Sequence, residues 1–272
     1  MIPAWICVAI RAQERQQRAA EVSAFYDDLA EEYDAIFADW DASVRSQGAL
    51  LDGLLGSARG PVLDVAAGMG TQAIGLALAG RQVVARDLSP QLVARGRVEA
   101  ARLSAQLTFS VGDMRESRAE DAEQFDAVVA FDNALPHLES DDDLQAALRA
   151  SLRALTPGGR LWASIRDYDE LVKTRPTIDP ARLLGVAPAR RLVTQIWTWH
   201  DGQRSYELEH FLARETPFGW ATRVRRTRYR ALLRDELVRA ARAVGFIEPI
   251  FLEPGVTGFY QPIFCARRPL SP

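Results

Sequence analysis

A regular alternation of apolar runs and helical segments between residues 61 and 165 constrains the fold of this chain most strongly. Five runs have the short, apolar character of buried strands, and they cover residues 61–65, 82–87, 107–111, 125–131 and 158–165. Helices are predicted between them at 72–79, 90–103 and 141–155. This alternation predicts βαβ units, in which a parallel sheet carries helices on both faces. Ligands bind such sheets at the carboxyl ends of the strands, so the residues after each run are the candidates for function.

The segments on either side follow other patterns. Residues 11–55 repeat apolar side chains at three- and four-residue spacing, which predicts helices. The C-terminal part instead predicts strands at 191–199, 205–215 and 221–229, a helix at 234–244, and strands at 246–252 and 259–267. Asp201-Gly202, at the centre of residues 200–203, predicts a hairpin turn. The three strands with no helix between them predict an antiparallel insertion that covers the ligand edge of the sheet.

Charge and cysteine content argue against several classes of protein. The 272 residues include 33 basic and 36 acidic side chains, which disfavours a basic nucleic-acid-binding domain. Cys7 and Cys265 have no partner in a metal or disulfide motif, so no metal site is expected. The same cysteine content predicts a reducing, cytoplasmic location. Residues 1–10 are apolar but too short for a membrane span. The arginine-rich tract at 223–230 predicts the solvated face of an outer strand, with phosphate binding to nucleic acid as the alternative.

A glycine-rich motif, VLDVAAGMGT, occupies residues 62–71 at the end of the first run. Gly68 and Gly70 allow a tight turn and a close approach of the backbone to a ligand. Asp87 ends the second run, where a carboxylate can accept both hydroxyls of a ribose; helix capping is the alternative role, for which Ser89 is better placed. Asp113 is a candidate acceptor for an adenine amino group, and Met114 is a candidate to pack on the ring. The glycine spacing also fits a dinucleotide site, so a nicotinamide oxidoreductase is a further alternative.

These residues, together with residues 125–128 and Pro157-Gly158-Gly159, resemble the class I S-adenosyl-L-methionine (SAM)-dependent methyltransferases. The resemblance implies an α/β, Rossmann-like sheet of seven strands, mostly parallel with an antiparallel last strand. It implies SAM as cofactor and S-adenosyl-L-homocysteine (SAH) as product. The implied cofactor contacts are Asp64, Ala66, Gly68 and Gly70 at the methionine part, Asp87 at the ribose, Asp113 and Met114 at the adenine, with Leu88 and Phe131 as further contacts. The expected parts are an N-terminal helical lid (1–56), a SAM-binding domain (57–170 and 231–272) and an antiparallel β insertion (171–230).

Two segments after strand ends are candidates for the substrate side. Asn133 and His137 follow the fourth run, and Arg166 and Tyr168 follow the fifth. Arg166 carries a fixed cation suited to a carboxylate, with an ion pair to Asp167 or Asp169 as the alternative. His137 is a candidate base, although a loop or core histidine is the commoner role. Asn133 can orient a polar group, with a turn residue as its alternative.

A narrower resemblance, to the glycine and sarcosine N-methyltransferases, runs from about residue 33 to the end of the chain. It is carried by Asn133, residues 137–138, residues 166–169 and residues 261–264. The resemblance implies that Arg166 holds a substrate carboxylate, that Asn133 helps to place the amino acid, and that Tyr26 and Tyr33 close over the methyl group. Residues 177–190 contain no tyrosine, unlike the corresponding loop of that family, so glycine itself is not implied as the substrate. Trp40, Trp197 and Trp199 are candidates for lining a larger pocket, with core packing as the favoured alternative.

The sequence therefore predicts an enzyme that methylates nitrogen on a small, carboxylate-bearing molecule. Attack of a neutral amine on a sulfonium methyl group moves a positive charge without creating one, so alignment in a dry site is the main requirement. The open alternatives are O-methylation, SAM-dependent chemistry other than methylation such as cyclisation, and nucleic-acid binding through residues 223–230.

Overall fold

The computed structural model describes residues 4–57, 60–200, 202 and 204–270, with side chains from residue 12 onward. The helices expected over residues 11–55 are confirmed. They are α1 (Ala4–Leu29), a 3-10 helix (Ala30–Ile36) and α2 (Trp40–Leu55). Asp39 caps α2, because its side chain accepts a hydrogen bond from the backbone N–H of Ala42.

The alternating segment folds into the predicted order of strands and helices. Its elements are β1 (Val62–Asp64), α3 (Thr71–Leu78), β2 (Val83–Asp87), α4 (Pro90–Arg102), β3 (Thr108–Val111), β4 (Phe125–Ala130), α5 (Asp141–Ala154), β5 (Leu155–Ser164) and α6 (Tyr168–Thr174). Helix α6 was not predicted, because its seven residues are too few to show a helical period.

A second, antiparallel sheet follows. Its strands are β6 (Arg182–Leu184), β7 (Arg191–Trp199), β8 (Ser205–Thr216) and β9 (Gly219–Arg230), paired in that order. The three long strands confirm the predicted antiparallel segment, and β6 adds a short edge strand of three residues. Asp201 and Gln203 of the predicted hairpin turn lie outside the described residues.

The remaining elements return to the first sheet. They are α7 (Arg234–Val244), β10 (Ile247–Leu252), α8 (Pro254–Thr257) and β11 (Ile263–Arg267). The seven-stranded sheet has the order β10-β11-β5-β4-β1-β2-β3, and β11 runs antiparallel to both of its neighbours. The expected seven-stranded topology is therefore confirmed. The last strand begins four residues later than predicted, at Ile263, because Gly258 ends α8 in the left-handed region (φ 76°) and residues 259–262 form a loop.

Apolar side chains fill both faces of the seven-stranded sheet. One cluster lies under α5 and α7 and includes Leu148 and Leu237, and the other lies under α2, α3 and α4 and includes Val44, Ile74 and Leu92. This arrangement leaves the carboxyl ends of the parallel strands as the edge that can hold a ligand.

The start of α4 decides between two roles predicted for Asp87. Ser89 is the capping residue, since its side chain accepts a hydrogen bond from the N–H of Leu92, and Pro90 occupies the first helical position. Asp87 is therefore not needed as the helix cap, and its carboxylate remains at the strand end.

The arginine-rich strand β9 departs from one expectation. Arg226 and Arg228 are exposed as predicted, but Arg225 is buried and forms ion pairs with Asp28 (2.7 Å) and Glu32 (2.7 Å) of the N-terminal helices. The prediction of a wholly solvated face is wrong at this position, because α1 packs against β9. The sequence period shows which residues share a face, but it does not show what covers that face.

None of the helices in the described part of the chain combines the length and the apolar content needed to cross a membrane.

Candidate active site

A cleft lies at the carboxyl ends of β1, β2 and β4, beneath α1 and the 3-10 helix. The sequence-predicted residues in its walls are Tyr26, Tyr33, Ala66, Gly68, Asp87, Leu88, Asp113, Met114, Phe131 and His137. The predicted residues that do not contribute to its walls are Asp64, Gly70, Asn133, Arg166 and Tyr168.

The glycine turn and the end of β2 meet in this cleft. Gly68 has a φ of 54°, and its N–H donates to Oδ2 of Asp87 (2.7 Å). A Cβ on Gly68 would lie 3.3 Å from the hydroxyl of Tyr33, so the absence of a side chain lets the 3-10 helix approach the turn. The N–H of Ser89 donates to Oδ1 of Asp87 (2.9 Å). The carboxylate is therefore held in place by backbone donors, although burial raises its pKa.

Asp64 and Gly70 support the turn from beneath. The Asp64 side chain is 1% exposed and accepts from the N–H of Ala66 (3.1 Å). Burial raises the pKa of Asp64 to about 8, and the nearby carboxylates of Asp87 and Asp132 add to this effect. A Cβ on Gly70 would collide with Phe109 at 2.7 Å, so this glycine is required by core packing.

The far end of the cleft carries an ion-pair cluster that the sequence did not reveal. Arg115 donates to both oxygens of Asp113 (2.6 Å to Oδ2) and contacts Asp143 at 3.1 Å. Burial alone would raise the pKa of Asp113, but the hydrogen bonds from Arg115 outweigh it and lower that pKa. Arg15 of α1 also contacts Asp143 (3.0 Å), which ties the helix over this end of the cleft.

Asp132 is a cleft residue that the sequence analysis did not select. It follows β4 and has a φ of 56°, and the next residue, Asn133, has a φ of 68°. Two consecutive left-handed residues other than glycine are uncommon and concentrate at functional sites. Oδ2 of Asp132 accepts from Nε2 of Gln72 (2.7 Å), and Oδ1 accepts from the hydroxyl of Tyr260 (2.5 Å). Burial raises the pKa of Asp132, and these two donors lower it in part.

Arg166 reaches from the end of β5 toward the second sheet. Its Nη1 donates to the hydroxyl of Tyr206 (2.8 Å) and its Nη2 to Oε1 of Gln195 (2.8 Å). The guanidinium lies 4.5 Å from the ring centre of Trp197 and is partly buried. In the described residues no carboxylate forms an ion pair with it. The cation is thus held by neutral groups.

The expected alternative for Arg166 is an ion pair with Asp167 or Asp169. Both carboxylates instead lie next to Arg234, at 3.1 Å and 3.6 Å. The alternative is therefore wrong, because both aspartates pair with Arg234 at the start of α7.

Asn133 and Tyr168 connect the end of β4 with this cation. Nδ2 of Asn133 donates to the hydroxyl of Tyr168 (2.9 Å), and its Oδ1 accepts from the N–H of Arg166 (3.0 Å). Tyr168 is fully buried, and its hydroxyl lies 3.0 Å from that of Tyr206. In this structure Tyr168 therefore does not face the cleft as expected; it supports Asn133 and Tyr206.

His137 lies in an aromatic group at the cleft wall. Its Nε2 is 2.9 Å from the hydroxyl of Tyr26, and its ring lies 4.2 Å from that of Tyr229. Burial lowers the pKa of His137 to about 3, and the positive charge of Arg166 contributes. The imidazole is therefore uncharged at neutral pH, and it shares a hydrogen bond with the hydroxyl of Tyr26. A group with so low a pKa is a weak base and takes up a proton poorly near pH 7.

The three tryptophans considered for a larger pocket have other contacts. Trp40 is buried in the core beneath Arg102. Trp197 stacks on Tyr206 (4.9 Å) beneath Arg166, and the indole N–H of Trp199 donates to the carbonyl of Pro176 (2.9 Å). Their packing role, which the alternation in β7 favoured, is confirmed.

Residues 62–159 match a family described as a methyltransferase domain. This segment is a methyltransferase domain. It contains the elements from β1 to the first half of β5, and with them the glycine turn, Asp87, Asp113 and Asp132.

Two curated relatives extend the comparison. The glycine/sarcosine N-methyltransferase of Parasynechococcus marenigrum (strain WH8102) is 32% identical over 151 residues, which cover 55% of this chain and 53% of that protein. A ubiquinone biosynthesis O-methyltransferase of Xanthomonas oryzae pv. oryzae (strain PXO99A) is 38% identical over 103 residues, which cover 38% of this chain and 41% of that protein. The chain thus spans about half of the first relative and less of the second.

A solved structure shows the likeness over a longer stretch. The SAM-bound amino pentose methyltransferase of Micromonospora echinaspora matches with a TM-score of 0.64 at 22% identity, covering 85% of this chain and 92% of that one. This likeness establishes the Rossmann-like fold of the chain.

The methyltransferase domain supplies only part of the site. Tyr26 and Tyr33 come from the helices before it, and Arg166 comes from the end of β5 after it. The groups that hold Arg166, Gln195 and Tyr206, belong to the second sheet. Sequence reasoning missed both of these, because strand alternation shows that they share a face with neighbours but not that this face meets the end of β5.

Proposed function

We propose that this chain is a SAM-dependent methyltransferase that transfers a methyl group to the nitrogen of a small, carboxylate-bearing amine. The observation that carries the acceptor class is the cation of Arg166, which is held by neutral groups and forms no ion pair within the described residues. The match of residues 62–159 to a methyltransferase domain supports the reaction class.

The electrostatics of the cleft support SAM as the cofactor. Asp87 lies at the glycine turn, and in the described residues it forms no ion pair with a basic side chain. SAM carries a sulfonium and an ammonium against a single carboxylate. A carboxylate at this position therefore suits SAM better than the pyrophosphate of a nicotinamide dinucleotide, which disfavours the oxidoreductase alternative.

Each end of the cofactor has residues of fitting chemistry. Backbone groups around Ala66 and Gly68, with Asp64 behind them, would hold the methionine part. Asp87 and Leu88 would contact the ribose. Asp113, Met114 and Phe131 would contact the rest of the nucleoside; the oxygens of Asp113 bound to Arg115 still have lone pairs for an amino group.

The expected position of the acceptor follows from Arg166 and its neighbours, which lie beyond the cleft walls. Arg166 presents further N–H donors beyond the two used by Tyr206 and Gln195, and a charge-assisted pair with a carboxylate suits them. Asn133 positions Arg166 through its backbone N–H. Tyr168 has a positioning role behind Asn133. The acceptor nitrogen would then face the cleft walls formed by Tyr26 and Tyr33.

SAM supplies an activated methyl group on a sulfonium, which an amine displaces in line. The chain contributes alignment and exclusion of water. Tyr33 and Tyr26 cover the cleft, and the neutral His137 orients Tyr26. We assign His137 a positioning role, because an imidazole with so low a pKa is a weak base near neutral pH.

Three further expectations remain part of this proposal. The first is the division into a lid (1–56), a SAM-binding domain (57–170 and 231–272) and a β insertion (171–230). The second is a cytoplasmic location, which rests on the cysteine content. The third is that nucleic acid is not a partner; Arg225, Arg226 and Arg230 of the arginine tract are engaged with Glu32, Glu209 and Asp141.

A matched set of acceptors tests the proposal. SAH formation is measured with a small amino acid, with its carboxamide and with its N-acetyl derivative. We expect turnover only for the free amino acid, since the amide lacks the carboxylate and the acetyl group blocks the nitrogen. Equal turnover of the acid and the amide would refute the role of Arg166. O-methylation is the second candidate, favoured by the identity to the O-methyltransferase; turnover of the N-acetyl derivative or of a phenol would support it.

A further inference from the structure

Asp132 has no assigned role in the chemistry described above, yet its side chain lines the cleft. Its two known hydrogen-bond donors, the Gln72 amide and the Tyr260 hydroxyl, are both uncharged. In the described residues no basic side chain forms an ion pair with it. Each carboxylate oxygen can accept more than one hydrogen bond, so the group retains acceptor capacity toward the cleft. An anion in this setting is suited to a cationic ligand group.

The left-handed turn after β4 sends the side chains of Asp132 and Asn133 to different places. Asp132 lines the cleft, whereas Asn133 is buried and bonds to the backbone of Arg166 and the hydroxyl of Tyr168. The turn is fixed on the β5 side, where the hydroxyl of Ser164 accepts from the N–H of Asp132 (2.8 Å). One tight turn therefore positions a cleft carboxylate and, through Asn133, the cation.

Asp132 and Arg166 act on the same hydroxyl groups without pairing with each other. For Tyr260, the hydrogen-bonded carboxylate of Asp132 raises the pKa and Arg166 lowers it. For Tyr229, burial raises the pKa, with Arg166 lowering it and Asp132 raising it. Both side chains therefore lie close enough to Tyr229 and Tyr260 to affect the pKa values of their hydroxyl groups. A ligand with one carboxylate and one ammonium can satisfy both.

We propose that Asp132 binds the ammonium group of the acceptor and takes its proton before methyl transfer. This proposal rests on the proposed function. The ammonium N–H bond breaks, the proton passes to a carboxylate oxygen of Asp132, and the nitrogen keeps the electron pair. That pair forms the N–CH3 bond while the S–CH3 pair returns to sulfur. The product leaves as a methylated ammonium, and Asp132 releases its proton to solvent.

The surroundings of Asp132 determine its response to pH. The groups that face it are Tyr33 from the 3-10 helix, Asp64 from β1, Gln72 from α3, Tyr229 from β9 and Tyr260 from the loop before β11. None of them is cationic. The value of kcat/KM should fall as pH drops through the pKa of this carboxyl group.

Binding of three probes to the protein–SAH complex tests the proposal. Glycine carries both charges, acetate only the carboxylate and methylamine only the ammonium; their affinities are measured by NMR titration near pH 7. For Asp132→Asn we expect glycine and methylamine to bind about tenfold more weakly or worse, with acetate binding unchanged. Tyr260→Phe is the matched control, since it removes a hydrogen bond to Asp132 but leaves the charge, and it should affect methylamine binding less.

Two outcomes would overturn the proposal. Unchanged affinity for glycine and methylamine in Asp132→Asn is one, and an equal loss of acetate, methylamine and SAH affinity is the other, because it indicates a structural role. If Asp132→Asn lowers SAH affinity by misfolding, Asp132→Ser is measured in the same way. Arg166→Met separates the two proposals: it should weaken acetate and glycine but not methylamine. Unchanged acetate binding in Arg166→Met would contradict the proposed function. The role of Asp132 in binding an ammonium group would then be tested by the methylamine affinities alone.

The pH profile provides a second, independent measurement. In Asp132→Asn, kcat/KM should rise with pH in step with deprotonation of the free amine, and high pH should restore activity. A parallel profile in the variant and the wild type would contradict proton transfer to Asp132.

Discussion

Replacement of Arg166 by Met separates a functional cation from a structural one. Methionine keeps much of the length and packing volume of the side chain but removes its charge and its donors to Tyr206 and Gln195. Arg225 is the matched control, because its guanidinium is also withdrawn from water and its side chain is 2% exposed. The two residues differ in their partners: Arg225 lies 2.7 Å from both Asp28 and Glu32, whereas Arg166 is held by neutral groups.

The expected changes in stability follow from these partners. Removal of one member of a buried ion pair costs about 3–5 kcal/mol. The Asp28 carboxylate is largely exposed and can hydrate, so Arg225→Met should lower the free energy of unfolding by about 2 kcal/mol. Arg166→Met loses two hydrogen bonds and the contact with Trp197. It also removes the free-energy cost of holding a cation without an acidic partner. We expect a change within about 1 kcal/mol, since these contributions are of similar size.

The expected changes in activity have the reverse order: Arg166→Met should lose activity, whereas Arg225→Met should keep it. A charge-assisted hydrogen bond to a carboxylate contributes about 1.5–3 kcal/mol, so Arg166→Met should lower kcat/KM for a carboxylated amine by about 10–150-fold. Affinity for SAH should remain, because Arg166 does not line the cofactor cleft. Arg225→Met should retain kcat/KM under conditions where it is folded.

Thermal melting, SAH calorimetry and steady-state kinetics on both variants provide the measurement. If Arg166→Met melts as low as Arg225→Met, its cation serves the fold. If it melts like the wild type and retains full activity on a carboxylated amine, no carboxylate binds there. Either result would refute the reasoning for Arg166.

Three further changes have defined outcomes. Burial raises the pKa of Asp64 to about 8, so the folded protein retains a proton that the unfolded chain releases near pH 4. The free energy of unfolding should therefore fall as pH rises between these two values. In urea unfolding experiments, the free energy of unfolding of Asp64→Asn should depend less on pH than that of the wild type. The pKa of His137 is about 3, so His137→Gln should keep the shape of the kcat/KM profile above about pH 6, and a shifted acid limb would show that the imidazole titrates during turnover. Gly68→Ala places a Cβ at a φ of 54° and 3.3 Å from the hydroxyl of Tyr33. In melting experiments it should lower the free energy of unfolding by about 1–2 kcal/mol, and it should weaken SAH binding. An unchanged SAH affinity would show that the turn does not contact the cofactor.

The fold could be predicted where local signals and tertiary packing agree. Strand β7 has the predicted bounds, because its alternating apolar residues form one face of a sheet. The Ser89-Pro90 start of α4 was also predicted, since capping depends on residues that are adjacent in the sequence. Helix α6 and strand β6 could not be found in this way, because they are short and are stabilised by their neighbours.

The candidate site was predictable at strand ends and much less so elsewhere. Gly68 and Asp87 follow β1 and end β2, and the structure brings them within hydrogen-bond distance. The partners of Arg166 come from β7 and β8, and their position depends on how the second sheet packs against the first. Asp132 stands beside Asn133 in the sequence, but its importance arises from a left-handed turn that no periodicity indicates.

The nature of the bond formed to the transferred methyl group is the most direct test of the proposed function. The protein is incubated with SAM labelled with ¹³C at the methyl carbon and with a panel of small amino acids, and the product is examined by NMR. We expect the labelled carbon to be bonded to nitrogen in a product that retains its carboxylate. Label on oxygen, or the absence of labelled product from a protein that binds SAH, would contradict it.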